Sequence, residues 1–215
     1  MGAIARSAAN NITTSGVFTS NAITNSSVTG ITVLANASDG ITFISSQTAS
    51  DSASLSFTSG LTSTYKAYKF VFSSIHPRTN NGIFHFQLST NGGSTYATTI
   101  TSTFFEAYHN ETGTTAGLDY DTSKDLAQST SYQYLASPIG SGADQSMSGS
   151  LQLFNPSSTT YVKHFIGTVN MYHSSDYSSN FYMAGYGNTT SAVNAIQFKM
   201  SSGNFDGTIY LYGIK

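Results

Sequence analysis

The only two glutamates of this chain, Glu106 and Glu111, stand close together in FFEAYHNETG with His109 between them. Two carboxylates placed across a glycosidic bond hydrolyse it by acid–base chemistry, and histidines with a carboxylate base can hold and use a zinc ion. Both chemistries need their groups on one side of the backbone. The surrounding residues predict an extended strand, in which Glu106 and His109 point to opposite faces. That arrangement argues against either activity.

A second arrangement lies in DYDTSKD, where Asp119, Asp121, Ser123 and Asp125 occupy alternate positions, the spacing that opens a calcium loop. The pattern then fails: Lys124 stands where such a loop needs glycine, and Thr130 stands at the place of its closing acid. These four are the weak candidates for a metal site, and a polar loop is the better reading. The histidines at 76, 85, 109, 164 and 173 include no pair at metal-ligand spacing, and no GxSxG occurs among the many serines. No catalytic residue and no cofactor is predicted, and the expectation is a protein that is not an enzyme.

Tyrosine offers a different kind of site. Tyr132, Tyr134, Tyr172, Tyr177, Tyr182 and Tyr186 exceed what a core needs, and Tyr210 and Tyr212 alternate with Ile209 and Leu211 in the closing TIYLYGIK. An aromatic body with a polar tip suits stacking on a sugar or burial between subunits. Subunit burial is the favoured use.

The elements that must carry these side chains are strands. Of 215 residues only 8 are Lys or Arg and 10 are Asp or Glu, about a third of the usual ~25% charged. Such low charge would suit a disordered chain, but 14 Tyr and 14 Phe are far too many for one. Helix formers are scarce while Thr, Val, Ile, Tyr and Phe abound, which predicts an all-β protein. Without cysteine there are no disulfides or thiolate metal sites. A net charge of −2 with no basic cluster predicts no nucleic-acid partner. No apolar stretch is long enough for a membrane helix, and MGAIARSAANNITTSG lacks the apolar run of a secretory signal. No membrane insertion is expected, and synthesis in a cytoplasm without the usual export route is.

Residues 1–40 differ from the rest: single apolar residues are spaced among Ser, Thr, Asn and Gly too sparsely to build a core. The segment reads as an extended arm or short stalk laid on other chains, or as a loose tail. From Ile41 onward, eleven strands are predicted, over 41–46, 53–57, 66–75, 82–90, 95–108, 131–136, 149–154, 161–172, 180–187, 194–200 and the closing segment. Their short spacing predicts an antiparallel sandwich or barrel over 41–215. Phe84, Phe86 and Leu88 share one face, as do Tyr68, Phe70 and Phe72, and are core candidates. Asn91-Gly92-Gly93 reads as a hairpin turn joining two strands directly, and 109–130 as one long loop.

Several of these segments resemble virion structural proteins of tailed bacteriophages: FISSQTASDSASLSFTSGLTSTYKAYKFVFSSIHP, ITSTFFEAYHNETG, LFNPSSTTYVKHF and GYGNTTSAVNAIQFKMSSGNFDGTIYLYGIK. The similarity covers about 41–215 and weakens over the first 40 residues. It implies a jelly-roll-like β-sandwich on the particle exterior, with other virion proteins as partners through residues 1–40. By analogy with fibre modules it implies a homotrimer. A tail fibre or receptor-binding module contacting a host cell-surface glycan or protein is the leading expectation. A capsid-surface decoration protein or head fibre is the alternative, and a polysaccharide depolymerase the least favoured.

Overall fold

The computed structural model describes residues 40–215. The arm expected over residues 1–40 therefore lies, apart from Gly40, outside the described residues. Those residues form twelve strands and no helix: β1 (Ile41–Ser52), β2 (Ser54–Phe57), β3 (Ala67–Pro77), β4 (Gly82–Ser89), β5 (Ile100–Asn110), β6 (Ala116–Tyr120), β7 (Gln133–Ile139), β8 (Met147–Phe154), β9 (Lys163–His173), β10 (Tyr177–Gly187), β11 (Ala195–Met200) and β12 (Phe205–Ile214). All pairings are antiparallel.

The pairing follows two paths. A long layer runs β1-β12-β3-β8-β9-β10-β5-β6, and a short layer runs β2-β11-β4-β7. A single bridge, Ile139 to His173, joins them at one corner. At the other margin the Gln47 side-chain amide donates to the Ser56 carbonyl at 2.9 Å, tying β1 to β2. The result is one antiparallel sheet nearly closed into a barrel.

Alternation decides which residues fill the interior. Along β9 every odd position from Lys163 to Met171 is buried and every even one from His164 to Asn170 is exposed. Phe84, Phe86, Leu88, Tyr68, Phe70 and Phe72 are all buried, as their spacing predicts. Phe198 of β11 lies where the layers meet: its ring centroid is 5.2 Å from that of Phe70 and 5.3 Å from Phe72 in the long layer. Phe86 meets Phe165 edge-on at 5.2 Å, and Phe84 meets Phe205 at 5.5 Å. These edge-to-face contacts across the layers form the centre of the core.

Two expectations are corrected. The segment 109–130 is not one loop, because Ala116–Tyr120 returns onto β5 as β6. The Asn110 side chain builds that turn, its amide donating to the Thr112 and Thr114 hydroxyls while its oxygen accepts from the Thr114 and Thr115 backbone. The composition of AGLDY carries little strand signal; the turn supplies it. Asn91-Gly92-Gly93 is a turn, with Gly92 and Gly93 at φ of 71° and 87°, but not a hairpin. It sends the chain from β4 in the short layer toward β5 in the long one.

Bulges adjust the long layer where the register slips. At the shift between Asp206 and Thr208, Gly207 takes φ 128°, and Ser74 on the facing strand takes φ 53°. A Cβ on Gly207 would stand 2.6 Å from the Ser74 carbonyl oxygen, so this position requires glycine.

Candidate functional site

β5 continues its inward parity from Ser102 and Phe104 to Glu106 and Tyr108, which carries a carboxylate and a phenol beyond the end of the apolar core. A carboxylate there needs a partner. Lys124, from the turn after β6, supplies it: its ammonium bonds the Asp121 carboxylate, stands 3.7 Å from Glu106 Oε2 and lies over the rings of Phe181 and Phe104, at 5.4 and 5.9 Å. Tyr177 and Ser179 of β10 and His173 of β9 complete a cleft of about 370 Å³. The Tyr177 ring is 6.1 Å from Tyr108 and 5.4 Å from His173.

Burial raises the Glu106 carboxyl above its ordinary range, and the neighbouring Asp121 and Asp119 act in the same direction against Lys124. For Asp121 burial acts upward too, yet hydrogen bonds from Lys124 and Ser123 outweigh it and hold the group low. His173 is lowered by burial and then by Lys124. Tyr108 is raised by the Asp119 carboxylate at its hydroxyl. Beside the cleft the Lys124 ammonium is thus shared between the Glu106 and Asp121 carboxylates. What the cleft offers a visitor is hydrogen-bonding groups and tyrosine rings.

On the opposite side of the same strands a groove of about 410 Å³ is lined by His109, Glu111, Asn170, Tyr172 and Tyr177. Tyr172 is pushed up to about 12, chiefly by the neighbouring Glu111 carboxylate, and its hydroxyl donates to Asp176 Oδ1 at 3.4 Å. Glu106 and His109 therefore face different spaces, as an extended β5 predicts. Sequence reasoning missed the meeting of Glu106 with Lys124 and His173. Parity alone would have put Glu106 on the inward side and demanded a buried counter-ion.

The alternate acids disperse. Asp119 lies in β6 opposite Glu106, Asp121 accepts from Ser123 and Lys124, and Asp125 accepts the Tyr120 hydroxyl at 2.6 Å. Ser123 is exposed, its hydroxyl turned to Asp121 at 2.6 Å. Among the described residues no group of three or more His, Asp or Glu could hold a metal ion.

The eight tyrosines divide among separate places. Tyr132 and Tyr134 flank His85 on the short layer, with ring centroids 4.7 and 6.5 Å away. Tyr172 and Tyr177 stand at the cleft and groove. Tyr182 and Tyr186 face outward on β10, and Tyr210 and Tyr212 outward on β12, alternating with the buried Ile209 and Leu211.

Of the eight large apolar side chains that remain well exposed among the described residues, all but Tyr161 stand on the outward side of the long layer: Ile41, Phe43, Phe105, Leu118, Tyr120, Ile166 and Tyr182. Comparison of the chain with protein families, with curated proteins and with solved structures yields no match.

Proposed function

We propose that the chain is a non-enzymatic structural protein on the exterior of a tailed-bacteriophage virion, most simply a tail fibre or receptor-binding module built on a jelly roll. The observation that carries this reading is the nesting of the strands. β1 pairs with β12, β2 with β11, β3 with β8 and β4 with β7. Four of these strands run β1-β12-β3-β8, and the other four run β2-β11-β4-β7. This nesting supports a jelly roll, the eight-strand arrangement that viral capsid and lectin domains use. By that account β5-β6 and β9-β10 are two hairpins inserted into the roll, widening one sheet. Fold alone does not assign a function; the resemblance of residues 41–215 to virion proteins supplies the particle.

The placement of the cleft suits attachment. The chain joins the sheet at β1, at one margin of the long layer, and the Glu106–Tyr177 cleft lies under β5 and β10, at least five strand spacings away and so roughly 25–30 Å along the sheet. Residues 1–40 would fasten the module to other virion proteins while the far margin meets a host-surface glycan or protein. Imaging particles that carry a label on this chain tests the reading. Label on the tail in at most a few dozen copies is expected. Hundreds of copies over the head would make the chain a decoration protein instead, and particles without it would overturn the virion assignment. Removing residues 1–39 should abolish incorporation and leave residues 40–215 folded.

A further inference from the structure

The hairpins β9-β10 and β5-β6 add strands beyond those of the nested roll, and their outward side has a distinct composition. Ile166, Tyr182, Phe105, Leu118 and Tyr120 all stand there, 37% to 68% exposed. Directly paired positions run Thr168, Tyr182, Phe105, Tyr120 across the four strands. Tyr182 and Phe105 stack with ring centroids 4.9 Å apart and planes within 13°. Beside them Thr103, His164, Ile166, Ala184 and Tyr186 frame a shallow hollow of about 450 Å³. No Lys, Arg, Asp or Glu occupies an outward position on these four strands. The charges lie at its margins: Asp125 takes the Tyr120 hydroxyl at one rim, and Glu111 lines the groove beside His109 at the other end.

We infer that this face is where a second copy of the same chain packs, sheet against sheet. Three features select that occupant. The first is extent: β9, β10 and β5 are each 11 residues long. At ~4.8 Å between strands and ~3.4 Å per residue, the three with β6 present roughly 600–700 Å², close to the ~800 Å² per partner of a standard stable interface.

The second feature is charge. A face whose outward strand positions carry no charged side chain, with charge only at its margins, meets its own copy with little repulsion and little desolvated charge left unpaired, whereas a differently charged partner would find little on it to steer by. The third is flatness with adjacent relief: the stacked Tyr182–Phe105 pair beside the hollow framed by Ile166 and Tyr186 gives aromatic ridges a place to interdigitate. A sugar would use isolated rings with polar groups around them, which the cleft under β5 offers and this face does not.

The inference rests on the reading of the chain as a structural module, and its test is separate from particle imaging. Light scattering on the purified full chain should give a multiple of 22.8 kDa at micromolar concentration. Ile166→Lys combined with Tyr182→Lys should return the mass of a single chain and weaken self-association at least 100-fold, with an unchanged β-type circular dichroism spectrum. Gln197→Lys, on the short layer, should leave the multimer intact. If the double lysine variant fails to fold, Ile166→Thr with Tyr182→Thr replaces it, since threonine suits strands.

A second readout uses the absence of cysteine from the sequence. Tyr182→Cys should react with a maleimide at least tenfold more slowly in the multimer than in the diluted single chain. A wild-type chain that stays single at 100-fold the micromolar range overturns the inference. So does a multimer that both pairs of variants leave untouched. Either result would leave the virion assignment standing on the particle images.

Discussion

The outward side of the β9, β10, β5 and β6 strands and the outward side of the short layer have the same geometry and opposite degrees of completion. On the short layer, most polar side chains find their partners within the chain, His85 Nε2 being a buried atom that does not. Gln87 is fully buried, its amide donating to the Thr130 and Ser131 carbonyls at 3.0 and 2.8 Å while its oxygen accepts the Leu88 amide. Gln197 accepts the Tyr132 hydroxyl and donates to Ser56, and the Lys199 ammonium lies 5.1 Å from the Tyr132 ring. On β9, β10, β5 and β6, Tyr182 and Phe105 have mainly each other. A face that closes most of its own hydrogen bonds is finished surface; one that stacks rings in the open is a surface made to be covered.

The largest test of this contrast strikes the core that holds both faces. Phe198→Ala should cost about 3–5 kcal/mol in chemical denaturation and remove both faces together. A loss below about 1 kcal/mol would mean that the layers do not meet through this ring. Next, Gln87→Leu leaves the Thr130 and Ser131 carbonyls without their donor and should cost about 1–3 kcal/mol, with no change in the association state of whatever remains folded. A destabilised chain that also fell apart into single copies would show that the short layer, too, is an interface.

Acid should act selectively on the finished face. Burial, and then Lys199, lowers His85 from its ordinary value to about 4. Its folded pKa lies below its unfolded one, so the unfolded chain binds the extra proton first. Stability is full above about pH 6.5 and falls as pH drops toward 4, by about 1–2 kcal/mol at pH 5. Urea midpoints at pH 7 and pH 5 measure this, and His85→Gln should remove most of the difference. An unchanged difference in that variant would place the acid sensitivity elsewhere. The smallest effect belongs to the open face. Tyr182→Ser should change the stability of the single chain by less than about 0.5 kcal/mol, and a cost above 2 kcal/mol would show that Tyr182 completes the fold.

Much of this contrast was legible in the sequence, though not all. Period-two alternation placed Phe84, Phe86 and Leu88 inside, and Tyr210 and Tyr212 outside, because one face of a strand either meets the core or does not. Alternation says nothing about which strand lies alongside which. So Asn91-Gly92-Gly93 read as a hairpin although β4 and β5 belong to different layers. β6 escaped because its strand depends on the Asn110 turn and not on the propensities of AGLDY. The meeting of Glu106, Lys124 and His173 joins residues far apart in sequence, and only the pairing of β5 with β10 and of β10 with β9 brings them together. The division of the eight singled-out tyrosines among separate places is a property of the topology, and Tyr134 packs against the core.

The position of β12 between β1 and β3 has a consequence for how the molecule comes into being. β12 follows every other strand in the sequence, yet it fills a slot with neighbours on both sides, and β1 holds its place in the long layer through it. Until residues 205–214 leave the ribosome, β1 has no partner in its layer and β3 shows an unpaired edge. The domain must therefore wait for its last strand and fold from contacts of long sequence separation, which makes it slow. During that interval two sticky margins lie open to neighbouring chains. Charge, which ordinarily guards such margins, is scarce in this sequence, so the yield of folded protein should depend strongly on how crowded with its own copies the chain is while β12 finds its slot.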